Sequence, residues 1–189
     1  MAKEAQIGGG RRGVPWRIIG WGIAALLLLL PLVAMQFTGE VNWDETDFIF
    51  AAVVFGSIGA VFELTVRMSR NIAYRAGVAA ALAAAFVIVW ANAAVGMIGD
   101  GDNPLNLMFA GVLALALLGA LFARFRPEGM ARTMVLAAIA QAAAGLVGMS
   151  TDVRGGILSA LFAGLWLLSA ALFGKAARDQ RGADTAPNG

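Results

Sequence analysis

From Ile18 to Met35 the chain carries no charged residue, and five more apolar runs follow, broken by charge only at Glu63 and Arg124: Phe48–Val66, Val78–Met97, Leu105–Phe125, Met134–Met149 and Ile157–Phe173. Runs of this length, about 17 to 25 residues, match the hydrocarbon thickness of a bilayer, where every backbone N–H and C=O must be satisfied within the segment. That requirement selects helices. Composition agrees: 60% of the residues are hydrophobic and 14% charged, against roughly 45 to 50% apolar content in soluble domains. The expected fold is an all-α integral membrane protein, a six-helix bundle built from three helical hairpins.

Charge sets the expected topology. Of the 14 Lys and Arg residues, all but Arg154 fall at the N-terminus, in the breaks at Arg67–Arg75 and Arg124–Arg132, or after Phe173, whereas the acids Glu40, Asp44, Glu45, Asp47, Asp100, Asp102 and Asp152 occupy the alternate breaks. Basic residues are retained on the cytoplasmic side and acids contribute little to orientation, so both termini are expected inside. The chain then divides into a flexible basic tail at 1–16, a membrane domain at 17–174 and a disordered cytoplasmic tail at 175–189. The first apolar run is too long for a signal-peptide core, and Leu32 and Ala34 make a poor cleavage site, so it is expected to be a retained helix. The fifth run is the shortest. At about 1.5 Å per residue it reaches roughly 24 Å across a core of about 30 Å, which leaves both a crossing and a re-entrant segment open.

Asp47–Arg67 aligns without gaps on Asn106–Arg126, each running from a polar residue through Phe-Ala into a small-residue stretch that ends in Arg, and Phe162-Ala163-Gly164 repeats the start of the pattern. Three parallel hairpin repeats would produce this echo, and so would low-complexity Ala, Leu and Gly composition.

Few residues could carry chemistry. There is no Cys and no His, which excludes disulfides, thiolate and imidazole chemistry and most transition-metal ligation. No phosphate-binding, dinucleotide, zinc-protease or nucleophile-elbow motif occurs, so no catalytic residue, metal, cofactor or enzymatic activity is expected. In the second run Ala52, Gly56, Gly59, Ala60 and Glu63 share a helical face with Arg67 one turn beyond; small residues at that spacing let helices approach closely. Glu63 is a candidate either for an ion pair that locks register or for a proton or cation site. Asn92 and Gln141 are embedded amides suited to bonding between helices or to contacting a solute. Asp100 and Asp102 alternate as cation ligands would, yet Pro104 and Gly111 stand where a calcium loop needs further ligands, so a solvated acidic rim is the competing reading.

The Ala-, Gly- and Arg-heavy composition resembles that of small multi-pass inner-membrane proteins of bacteria, which implies a location in the bacterial inner (cytoplasmic) membrane and transfers no functional residue. The expected role is accessory, assembly or structural, with transport of a small solute or cation as the alternative. The expected partners are the lipid bilayer and either a second copy or another membrane protein, and no nucleic acid.

Overall fold

The computed structural model describes residues 16–39 and 41–185, so the expected flexible N-terminal tail lies almost wholly outside the described residues. Among these residues there are six α-helices and no strand: α1 Trp16–Ala34, α2 Glu45–Met68, α3 Ile72–Ala94, α4 Leu107–Phe122, α5 Pro127–Gly148 and α6 Val153–Asp184. Five segments, α2, α3, Pro104–Phe122, α5 and α6, are long and apolar enough to cross a membrane, and Ile18–Ala34 is a shorter apolar helix. The molecule is a helical, multi-pass membrane protein. The chain falls into two compact units, residues up to Glu63 and residues from Leu64 onward.

In the first unit, the start of α2 is fixed by its own side chains. Asp44 N–H donates to Asp47 Oδ2 and Asp47 N–H donates to Asp44 Oδ1, both at 3.0 Å, a reciprocal cap that satisfies amides left open by the first turn. Trp43 and Phe48 flank this cap edge to face at 5.3 Å, the apolar staple that sets the entry angle of the chain. Glu45 and Asp47 also place negative charge at the positive end of the helix dipole.

In the second unit, α6 packs against both α5 and α3, and α4 packs against α5. The neighbour order is therefore α3, α6, α5, α4, and the consecutive helices α3 and α4 each find their main neighbour elsewhere. Ile88, Phe109, Met134, Trp166 and Phe173 are almost fully buried between these helices. Small residues bring the backbones together. A methyl group on Gly145 would lie 2.7 Å from both Ala160 N and Gly156 O, and one on Gly156 would lie 2.6 Å from Gly145 O, so α5 and α6 touch backbone to backbone.

Three helix ends differ from the sequence expectation. Helix α3 begins at Ile72, six residues before the apolar run, because Asn71 Oδ1 accepts from Tyr74 N–H at 2.9 Å. Arg75, carried into the helix, donates to the carbonyls of Ser69 at 2.6 Å and Val66 at 2.8 Å, groups that the end of α2 leaves open. Helix α5 begins at Pro127 and runs 22 residues without a break, about 33 Å at 1.5 Å per residue, enough for a full crossing. Helix α6 continues through Asp184, although a disordered tail is expected from residue 175. Ala176 and Ala177 are buried, Lys175 pairs with Asp179 at 3.2 Å one turn on, and Asn71 Nδ2 donates to Asp179 at 3.3 Å.

Candidate functional site

Glu63 lines a cavity of about 200 Å³ in the first unit, between α1 and α2. Trp21 of α1 donates its indole N–H to Glu63 Oε2 at 3.2 Å. Gly59, one turn before Glu63, makes this possible: a methyl group there would come within 2.9 Å of the Trp21 ring. The remaining wall is apolar, formed chiefly by Leu27, Phe55, Ile58 and Phe62. A carboxylate held by an indole donor in an apolar wall can anchor a positive group or fix the spacing of two helices. The sequence suggests Trp21 only as an interfacial aromatic; the glycine one turn from an embedded carboxylate is the signal that a ring fits there.

Gln141 and Asn92 lie in the second unit and are used differently. Gln141 is fully buried, and its Nε2 donates to Ser159 O and Ser159 Oγ, each at 3.1 Å, tying α5 to α6. Asn92 Nδ2 turns back on its own helix to Ile88 O at 2.8 Å. Neither amide is satisfied throughout. Asn92 Oδ1, Gln141 Oε1 and the Trp166 indole N–H are buried and have no hydrogen-bond partner among the described residues. Turning the Gln141 amide over would set its oxygen against the Ser159 carbonyl, so the unpartnered acceptor is intrinsic to the site. Ser169 supplies a second interhelical tie, donating to Gly77 O of α3 at 2.8 Å.

Asp100 and Asp102 are exposed and are not brought together with other potential ligands: among the described residues no three His, Cys, Asp or Glu side chains form a group able to hold a metal ion. Their loop is organised instead by Asn106 and Asp152. Asn106 Oδ1 accepts from Met97 N–H at 3.0 Å and Ile98 N–H at 2.9 Å, while its Nδ2 donates to Asp100 O at 2.7 Å. Asp152 caps α6 by accepting from Arg154 N–H at 3.0 Å and reaches the loop through Gly99 N–H at 3.2 Å. The backbone N–H groups of Gly155 and Gly99 hold the Asp152 carboxyl below its ordinary value. Gly96 and Gly99 take φ of +83° and +65°, a region glycine enters without steric cost, and at Gly96 a Cβ would lie 2.6 Å from Asp100 O, so this bend requires glycine there.

Searches against protein-family models, curated proteins and solved structures find no match to this chain. Its chemistry therefore rests on these residues alone. They offer a single carboxylate in an apolar groove, two amides inside a helical bundle and a polar knot closing one end of it.

Proposed function

We propose that this protein is a non-catalytic accessory, assembly or structural component of the membrane in which it resides. The observation that carries the reading is the use made of polar groups within the second unit: the Gln141 amide and the Ser169 hydroxyl join helix to helix, and the helices around them close on glycine and alanine. Close packing of this kind leaves little room for a hydrated route, whereas a transport path needs polar groups facing an aqueous cavity. Purification in mild detergent with mass measurement tests the proposal. A co-purifying membrane protein or a stable homo-oligomer is expected; a monomer that conducts ions in proteoliposomes would overturn it.

A second reading, transport of a small solute or cation, is favoured by the unpartnered polar atoms of Asn92, Gln141 and Trp166, which could contact a passing polar molecule. Gln141→Leu separates the two. As structural glue, the residue is worth about 1 kcal/mol or less, so the variant melts slightly earlier with unchanged flux. A solute contact predicts abolished flux with nearly unchanged melting.

A further inference from the structure

At the end of the second unit where α4 turns into α5, a cavity of about 590 Å³ opens between that turn and the extension of α6. Three arginines, Arg126, Arg132 and Arg181, line it together with two carboxylates, Glu128 and Asp184. Glu128 is already engaged, with Oε1 3.3 Å from Arg181 Nη1. Arg126 and Arg132 have no ion pair among the described residues. Their guanidinium groups carry permanent charge and a planar fork that fits phosphate oxygens two at a time.

The backbone arrangement that sets these arginines is strained. Arg124 and Phe125 take φ of +50° and +57°, a left-handed conformation in which Cβ crowds the following carbonyl oxygen. Tyr74 of α3 holds the turn by donating its hydroxyl to Phe125 O at 2.8 Å. The chain then leaves Arg126 extended directly before Pro127, and Arg126 as N-cap makes no side-chain bond to the first amides of α5.

The cavity is not uniformly polar. Ala123 and Phe125 form part of its wall, and the preceding turn of α4 exposes Leu118, Leu121 and Phe122, the last 87% exposed. A phosphate in the cavity thus has an apolar helix face beside it. A soluble phosphate has no use for such a face; an acyl chain does.

We propose that this cavity binds the phosphate headgroup of an anionic phospholipid, with Arg126 and Arg132 on the phosphate and the exposed face of α4 along an acyl chain. The proposal rests on the apolar helices lying in a bilayer and is independent of whether the protein is accessory or transporting. Basic pockets between membrane helices recognise anionic headgroups in this way, and a basic residue near the surface contributes about fivefold in affinity, equivalent to ~1 kcal/mol.

The test uses the full chain in mixed micelles containing equal amounts of phosphatidylglycerol and phosphatidylcholine, with retained lipid measured by native mass spectrometry. Phosphatidylglycerol is expected to be enriched on the protein, and Arg126→Gln with Arg132→Gln to reduce that enrichment at least tenfold. Arg70→Gln, which alters an exposed arginine outside the cavity, is the control and should leave it unchanged. Melting of the double variant in phosphatidylcholine alone verifies its fold, and if it does not fold, Arg126→Lys with Arg132→Lys keeps the charge and should retain a reduced preference. An equal preference in wild type and double variant, or an equal loss with Arg70→Gln, overturns the proposal. So does displacement of the bound lipid by millimolar inorganic phosphate, which would assign the site to free phosphate. Partition into the aqueous phase without detergent would instead overturn the bilayer reading itself.

Discussion

Asp152 acts through three backbone N–H groups, those of Gly155, Gly99 and Arg154, and through its charge near Arg154. Its folded pKa lies below the ordinary Asp value, so the stability it contributes is present in full above that value, about 3.9, and is lost as pH falls through the lower folded pKa. Asp152→Asn should therefore melt earlier than wild type near neutral pH, and the gap should narrow below about pH 4 as the wild-type carboxyl becomes protonated. Thermal melts in detergent at several pH values check this; a gap that widens on acidification would contradict the assignment. The role of Asp152 could be read only in part from the sequence. An Asp immediately before an apolar helix is a recognisable N-cap, but its second bond, to Gly99, joins loops far apart in the chain. Asn106 is hidden for a different reason: its partners, the backbone groups of Met97, Ile98 and Asp100, are close in the chain, but hydropathy does not register a side chain that bonds to backbone. Glu63, by contrast, stands out in any reading because a carboxylate in an apolar run is costly, although its indole partner does not.

At the scale of helices, apolar runs locate the parts that lie in hydrocarbon and miss the parts that extend beyond it. The starts of α3 and α5 were obscured by Arg75 and Arg132, charged residues that the helices nonetheless carry. The extension of α6 was obscured by Lys175, Arg178 and Asp179, which read as tail until the burial of Ala176 and Ala177 is seen. The pairing of α5 with α6 makes a sharp prediction about glycine. Gly145→Val would drive a side chain into the backbone of α6 and should cost about 1 to 3 kcal/mol or more, as overpacking does. Gly164→Ala, on the same α6 but with open space around it, should be neutral or stabilising by up to ~1 kcal/mol through helix propensity. Comparable melting of the two variants would mean that the close contact does not matter to stability.

For the whole molecule, hydropathy discloses the helical class and the number of apolar segments, and the arrangement stays hidden because Ala, Leu and Gly runs do not encode which helix meets which. Proximity in sequence suggests α3 with α4, whereas the packing joins α3 to α6. Crossing direction is open to direct measurement, since the chain has no cysteine. Asp102→Cys and Thr151→Cys should react with an impermeant thiol reagent on intact cells, and Arg178→Cys should react only after lysis; surface labelling of Arg178→Cys would invert or break the expected topology. Residue 129 is unsuited to such a probe, because a side chain on Gly129 would meet Ala123 at 2.6 Å. The position of α6 also has a temporal side. A ribosome adds roughly 5 to 20 residues per second, so α3 is complete seconds before α6 has been made through Asp184. During that interval the face of α3 around Gly77 has no partner of its own and must rest against lipid or transient neighbours. Assembly of the second unit is thus gated by the synthesis of α6, and a stalled or shortened chain would leave α3 unmated even with three of the unit's four main helices complete.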